Sequence, residues 1–432
     1  MDRFKYPEKD DTGTRSLVWR NLMVERTVLD SGLVIISEYL PTFPSFDLSY
    51  TLRGGSRQET PETNGIYHII EHMIFKGTQK YNLRDIADIS DRLGGKLNAY
   101  TGKETTQFYI KAVDEYLDES FDLLTQMVMN SIFPQDEFIK EKNVALQEIL
   151  EANDNPDTNA FETFYERVFE GNGLAYPVGG KVESVSNFTR ESVYDFYKKT
   201  YTPDNLILAS VGKVPHKELV SLAESIFKDY PSRKPSDFKF QIPSIKHETF
   251  FKTNDSLAQV YVITGFDGLS IVSPDRHQYM ILNDVLGAGM SSRLFQRIRE
   301  ERGLSYTVSS FTDAYMDCGI HMTYSIVEPD RVGEYLQVVT DEITTFKREG
   351  ITQEELKRAR DSIKSSIILG FESRSSKMRF NVNNELFLKQ DLTPESIIES
   401  INKTTIDDIY HLSNRYLDLK NMSVFKYGNT QG

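Results

Sequence analysis

Cysteine and long apolar runs are almost absent from this chain of 432 residues. A single cysteine, Cys318, excludes intramolecular disulfides and a thiolate-caged metal site, and it favours a reducing compartment. No stretch approaches about 18 consecutive apolar residues, so we expect no membrane-spanning helix. The segment Met1–Asp11 lacks the apolar core of a signal peptide and is too acidic for a transit peptide. We therefore expect a cytoplasmic protein with no membrane partner.

Basic residues are also in deficit. The chain has 64 acidic against 50 basic side chains, a net charge of −14, which argues against nucleic acid as a partner. Apolar residues make up 39% and charged residues 26%, the balance of an ordered globular protein. At about 150 residues per domain, this length allows roughly two to four domains.

An internal repeat reduces this range to two domains. The segment Thr189–Gly212, a helical pattern followed by a strand pattern, has a counterpart in Thr405–Gly428, and both ends of the segment are displaced by 216 positions. Gln135 and Gln353 open a second matching pair of helical patterns. Chance similarity between two helix–strand segments is the alternative explanation. We favour a duplication, because the matches share nearly one offset.

The stretch between the two copies is rich in Pro, Ser and Lys and predicts a linker. We expect a first domain over residues 1–230, a linker over 231–246 and a second domain over 247–432. In each copy, β-branched and aromatic runs alternate with segments of helical period. The predicted fold class is α+β, with two homologous domains that each pack helices on a mostly antiparallel sheet.

The most informative pattern is His68-Ile69-Ile70-Glu71-His72. At about 100° per residue, His68, Glu71 and His72 lie opposite the apolar stripe of this helix. The spacing of four residues places the two imidazoles one turn apart, where both can bind one Zn²⁺. Glu71 lies beside the metal and can take a proton from a bound water. The alternative is a pair of surface histidines on a solvated helix face.

A catalytic zinc needs a third protein ligand, and a helical segment about 70 residues downstream offers one. Glu148 follows Val144 and Ala145 on a face that we expect to be buried, where a lone carboxylate would be unfavourable and metal ligation would remove the cost. Glu141, two turns earlier, projects in nearly the same direction and could support a ligand or handle a proton. An ordinary surface glutamate is the alternative for Glu148.

In combination, these motifs resemble the pitrilysin/insulinase superfamily of zinc peptidases. The inverted His-x-x-Glu-His motif is followed by Met73–Thr78, by Gly95–Thr101 and by Glu148, 76 residues past His72. The resemblance is closest to the group that contains mitochondrial processing peptidase and its small bacterial relatives. It implies that His68, His72 and Glu148 bind one Zn²⁺ per chain, that Glu71 is the general base and that Glu141 assists.

The second copy lacks the metal motif, and Ser366 stands 218 positions after Glu148. The resemblance implies that this copy binds substrate, through an Arg/Tyr pair that matches Arg299 and Tyr306. Either side chain would donate to the developing oxyanion. A surface arginine and a core tyrosine are the alternative for this pair. Near the metal motif, Leu97, Asn98, Ala99 and Tyr100 resemble the family's edge strand, to which an extended peptide adds as a further strand.

The sequence hypothesis is a zinc endopeptidase that cleaves extended or unfolded peptides or leader sequences. A chain with one active copy is half of the closed chamber of longer relatives, so the resemblance implies a homodimer or a heterodimer with a paralogue. Two alternatives stay open. One is a non-catalytic structural or interaction subunit with the same fold, and the other is a metal-dependent hydrolase of another class.

Overall fold

The structure is a computed structural model that describes residues 24–94, 96–237, 240–389 and 392–429. The sequence analysis found no signal or transit peptide in Met1–Asp11. This segment lies outside the described residues. Within the described ranges, no helix has both the length and the apolar composition needed to cross a membrane.

The described residues form eleven strands and fourteen α-helices. The strands are β1 Val24–Val28, β2 Val34–Tyr39, β3 Ser45–Leu52, β4 Asn98–Thr101, β5 Thr106–Val113, β6 Leu206–Gly212, β7 Thr249–Thr253, β8 Val260–Gly268, β9 Val308–Ala314, β10 Gly319–Val327 and β11 Ser423–Gly428. The helices are α1 Ile66–Ile74, α2 Leu83–Arg92, α3 Leu117–Asn130, α4 Gln135–Asp154, α5 Pro156–Val168, α6 Val182–Ser186, α7 Arg190–Thr200, α8 His216–Phe227, α9 Arg276–Asn283, α10 Val332–Glu349, α11 Gln353–Gly370, α12 Arg374–Asn383, α13 Pro394–Lys403 and α14 Ile406–Tyr416.

The strands form two sheets with the same internal order. The first sheet runs β1-β2-β6-β3-β5-β4, and the second runs β7-β11-β8-β10-β9. In each sheet one neighbouring pair is parallel, β2 with β6 or β7 with β11, and every other pair is antiparallel. Strand β1 is an addition to the first sheet. The predicted α+β fold with two mostly antiparallel domains is therefore confirmed.

The repeat is also visible in local details. Thr189 and Thr405 cap α7 and α14, and each side chain accepts a hydrogen bond from the backbone N–H three residues later. Gly212 and Gly428 end β6 and β11 with φ angles of 136° and 145°, in the region that favours glycine. A Cβ at either glycine would lie 2.5 Å from a backbone oxygen, that of Ser45 at the start of β3 or that of Gln259 just before β8. The offset of 216 residues therefore relates equivalent structural positions.

The two halves exchange a helix. Helix α5, from the first half, packs Phe164 and Tyr165 against the second sheet. Helix α12, from the second half, packs Met378 and Val382 against the first sheet. Helical periodicity alone does not reveal these partners, because an apolar stripe does not specify which sheet it covers.

The predicted linker contains no helix or strand among its described residues. The chain nevertheless contacts the first half: the Ser236 N–H donates to the Asp204 carbonyl, and the Gln241 carbonyl accepts hydrogen bonds from Arg57 and Asn172. The domain boundaries themselves stay a prediction.

Candidate metal centre

Helix α1 presents two faces, as the sequence pattern predicts. Its apolar residues are buried on the sheet, namely Ile66, Ile69, Ile70, Met73 and Ile74. On the other face, His68, Glu71 and His72 are each partly exposed. Fixed packing of the apolar stripe therefore determines where the two imidazoles point.

A buried carboxylate caps the N-terminus of this helix, and the sequence analysis did not identify it. The residue before α1 is Gly65, which has no side chain with which to cap it. Glu59 takes that role: its carboxylate accepts hydrogen bonds from the Gly65 N–H at 2.8 Å and the Tyr67 N–H at 3.1 Å. Burial raises the pKa of Glu59 to about 7, although these N–H donors act in the opposite direction. A Glu six residues before the Gly that precedes a helix is too weak a pattern to assign as a cap from sequence alone.

Three potential ligand atoms form a nearly equilateral triangle. The His68 and His72 Nε2 atoms are 3.4 Å apart, and Glu148 Oε2 lies 3.5 Å from the first and 3.4 Å from the second. Two ligand atoms at about 2.0–2.1 Å from one tetrahedral zinc are separated by about 3.3–3.4 Å. The described side chains therefore fit one zinc ion, with a fourth position left for water or substrate.

The expectation that Glu148 lies on a buried face is wrong. Its side chain is 45% exposed, and the buried stripe of α4 is instead Phe138, Glu141, Ala145 and Ile149. Glu148 precedes Ile149 by one residue, so it lies at the edge of this stripe and reaches the histidines from the side. Its proximity to both imidazoles, and not a burial penalty, is what supports a ligand role.

Glu141 is the buried carboxylate of this helix, and it contacts His72. Its Oε2 lies 3.0 Å from His72 Nδ1, and its Oε1 lies 2.8 Å from the ammonium of Lys76. If Nδ1–H donates to Glu141, the lone pair of His72 Nε2 faces the triangle, as metal binding requires. Sequence reasoning did not assign Lys76, because its partner lies 65 positions away.

The pKa of His68 favours the same chemistry. Burial, together with the neighbouring His72, lowers the pKa of His68 to about 4, so the imidazole is neutral at pH 7. A neutral imidazole is the form that binds a metal.

Glu71 lies next to the triangle and contacts the edge strand. The Thr101 hydroxyl donates to Glu71 Oε2 at 2.5 Å, which links α1 to β4. Burial raises the pKa of Glu71 above the usual range of a glutamate. Asn98, Ala99 and Tyr100 belong to β4 at the end of the first sheet, and Leu97 immediately precedes it. The predicted edge strand beside the metal motif is therefore present.

Arg299 and Tyr306 contact each other in the second half. The Arg299 guanidinium lies 3.9 Å from the centre of the Tyr306 ring, and its Nη1 donates to the Tyr306 carbonyl at 3.4 Å. Tyr306 is 79% exposed, which contradicts the alternative of a core tyrosine. Their contacts do not connect them to His68 or His72, so their roles stay a prediction.

Two family models match the chain. Residues 34–181 match the model described as Insulinase (Peptidase family M16), and residues 187–363 match the model described as Peptidase M16 inactive domain. The first match contains the triangle and the second contains the Arg299–Tyr306 pair.

Similar proteins have corresponding names. A Bacillus subtilis protein named uncharacterized zinc protease YmxG is 33% identical over 391 residues, which cover 90% of this chain and 95% of the relative. A Rickettsia felis protein named uncharacterized zinc protease is 34% identical over 390 residues, covering 90% and 93%. Among solved structures, a protease from Helicobacter pylori superposes with a TM-score of 0.86 at 21% identity, covering 94% of this chain and 99% of that one.

Proposed function

Because the chain belongs to the insulinase family of peptidases, family M16, we propose that it is a zinc-dependent endopeptidase. Its substrates would be extended or unfolded peptides or leader sequences. The observation that carries the proposal is the triangle of His68, His72 and Glu148, whose edges of 3.4–3.5 Å fit a single zinc ion. The single cysteine is compatible with the cytoplasmic location that we also propose.

Zinc bound at this triangle would supply Lewis-acid chemistry and lower the pKa of a water molecule. Glu71, which is not a member of the triangle, would take a proton from that water and later return it to the leaving amine. Thr101 holds the Glu71 carboxylate through its hydroxyl. Glu141 would orient His72, and Lys76 would keep Glu141 in place.

Strand β4 would bind the substrate. Among the described strands it pairs with β5 alone, so we propose that its other edge accepts a peptide as an antiparallel or parallel strand. Tyr100 is 44% exposed and could contact a substrate side chain. A peptide must be extended to bind in this way, which favours unfolded segments over folded proteins.

The proposed active form is a dimer that encloses the site. The exposed Tyr306 hydroxyl and the Arg299 guanidinium would donate to the developing oxyanion, from the same chain or from the partner. Light scattering of the active enzyme tests the assembly, because a species that remains monomeric during turnover would contradict a dimeric chamber.

A non-catalytic structural subunit is the second candidate. The match of the second half to an inactive-domain model favours it, as does the absence of His-x-x-Glu-His from that half. The first half, however, retains three ligand candidates and a carboxylate placed as a base. We therefore favour the peptidase.

Two measurements distinguish these functions. Metal analysis of the purified chain should give about one zinc per chain, and a quenched peptide library should be cleaved in a manner that chelator abolishes and added zinc restores. Glu71→Gln should keep its zinc and lose cleavage by about 10²-fold or more. The control is Glu62→Gln, the same change at an exposed position before α1, which should keep full activity. Zinc binding without any cleavage in the wild type would favour the structural subunit.

A further inference from the structure

A cavity of about 780 Å³ lies on the face of the first sheet opposite α1, between the two halves of the chain. Its walls come from the first sheet, from the linker, and from α12 with the π-helical turn Asn384–Leu388 that follows it. This volume is in the range of small-molecule sites. None of the residues of the metal triangle lines it.

The buried guanidinium of Arg53 is the feature of this cavity that indicates a ligand. It directly follows β3, it lines the cavity, and it is only 7% exposed. Within the described residues, no carboxylate lies within 4.0 Å of its guanidinium, and its single hydrogen bond reaches the Leu206 carbonyl at 3.4 Å. A buried charge is ordinarily paired, because removal from water is unfavourable unless an opposite charge compensates.

The charges around Arg53 leave the cavity with an excess of positive charge. Of the residues that the structure describes, four cationic side chains and two carboxylates line it. The carboxylates already have partners: Glu385 binds Arg26 at 2.8 Å and Asp237 binds Lys389 at 2.5 Å. Among the described residues of the cavity wall, both carboxylates therefore already pair with a cation other than Arg53, in a protein whose net charge is −14.

A second polar group of the wall is also unsatisfied. Asn384 donates through Nδ2 to the Leu392 carbonyl at 3.3 Å, which fixes the orientation of its amide. Its Oδ1 is buried and has no hydrogen-bond partner in the described part of the chain. A ligand that carries a donor near its anionic group would satisfy both Arg53 and Asn384.

We propose that this cavity binds a small organic anion, a carboxylate or phosphate with a neighbouring hydrogen-bond donor, and that Arg53 holds the anionic group. A guanidinium binds either anion through two parallel hydrogen bonds. A peptide C-terminus and a hydroxylated phosphate are two sources of this chemistry. The site is independent of the metal triangle and of peptide cleavage.

Binding to the full-length chain by calorimetry tests the proposal, with two pairs of probes at constant ionic strength. The first pair is N-acetyl-triglycine and its C-terminal amide, and the second is glycerol phosphate and glycerol. At least one anion should bind saturably. The affinity for its neutral counterpart should be lower by about tenfold or more. The stronger anion identifies the source.

Variants separate this site from the metal triangle, which could also bind anions. Arg53→Met should weaken binding of the anion about tenfold or more, whereas Arg84→Met, the same loss of charge on the exposed face of α2, should leave it unchanged.

Glu385→Gln should tighten binding by about threefold, because it removes a negative charge from the wall. This variant tests the proposal even if Arg53→Met does not fold. Absence of saturable anion binding by the wild type, equal affinity in a folded Arg53→Met, or unchanged or weaker binding by Glu385→Gln would overturn the proposal.

Discussion

At the scale of single residues, the proposed metal centre also includes side chains that would not bind the metal. The ammonium of Lys76 pairs with Glu141, and the other carboxylate oxygen of Glu141 contacts His72. Both carboxylate oxygens of Glu141 are therefore engaged, one by the ammonium and one by the imidazole. This arrangement suits a residue that orients a ligand better than a residue that is itself a ligand.

Replacement of Lys76 by Met should weaken zinc binding by about tenfold, because Glu141 would lose the charge that fixes its position. Competition with a chromophoric chelator measures the affinity. Lys80→Met is the control, since Lys80 pairs with Asp122 away from the histidines. Equal zinc affinity in wild type and Lys76→Met would show that the ion pair does not support the centre.

A buried histidine in the second sheet should make the stability of the protein depend on pH. His321, in β10, is fully buried, and burial lowers the pKa of His321 to about 3, below the unfolded value of about 6.5. The neutral form stabilises the folded state. This contribution is complete above pH 6.5 and decreases as the pH falls toward 3, by at most about 1.4 kcal/mol per pH unit.

His321→Gln should therefore lose less stability than the wild type between pH 7 and pH 5, with a difference of about 2 kcal/mol in the free energy of unfolding. Urea unfolding at the two pH values provides the measurement. His411→Gln, at an exposed position, should follow the wild type. If His321→Gln and the wild type lose the same stability on acidification, the histidine does not contribute in this way.

At the scale of elements, the exchanged helices α5 and α12 join the two halves. Helix α5 can pack closely on the second sheet because Gly265 of β8 has no side chain on the face that α5 covers. A Cβ at Gly265 would lie 2.5 Å from the ring of Phe164, which is fully buried and stacks on Phe250. Because protein interiors are closely packed, we expect little space into which this ring could move.

Gly265→Ala should lower the free energy of unfolding by about 1–3 kcal/mol through overpacking. Gly333→Ala, near the start of α10, is the matched control, because a Cβ there meets no atom within 4 Å. That change should raise stability by about 0.4–1 kcal/mol. Denaturant unfolding of both variants is decisive: an equal or more stable Gly265→Ala would contradict the tight contact of α5.

At the scale of the whole molecule, equivalent hairpins of the two halves meet in a buried ionic network. Arg57 Nη1 lies 2.6 Å from Glu104, at the tip of the β4–β5 hairpin, and Nη2 lies 2.8 Å from Asp317, at the tip of the β9–β10 hairpin. Glu104 also accepts the Met316 N–H at 3.2 Å. The guanidinium thus joins both halves near the first-half sheet edge that we propose binds substrate.

Arg57→Met should destabilise the protein by about 3–5 kcal/mol, since the buried Glu104 and the partly buried Asp317 would lose their cation. Arg348→Met, at an exposed ion pair with Glu349, should change stability by less than about 0.5 kcal/mol. The midpoint of urea unfolding is the measured quantity. A small effect of Arg57→Met would mean that this ionic network is not needed to hold the two halves together.

Local periodicity accounts for the features that the sequence predicted correctly. The four-residue spacing places His68 and His72 one turn apart in any α-helix, and the apolar stripe of α1 follows from the same period. The offset of 216 residues predicted two equivalent halves, because equivalent capping and strand-ending residues recur with it. These properties depend on neighbours within a few positions and on copying of the chain.

The tertiary structure alone decided which distant side chains meet. It placed Glu148 at an exposed edge where it reaches both histidines, paired Lys76 with Glu141, and exchanged α5 and α12 between the sheets. It also buried Arg53 with no carboxylate of the described ranges within 4.0 Å of its guanidinium. Such contacts join positions that are tens to hundreds of residues apart, and their energies depend on packing and burial that no local pattern encodes. The sequence thus determined the chemical groups and their local spacing, and the fold determined their partners.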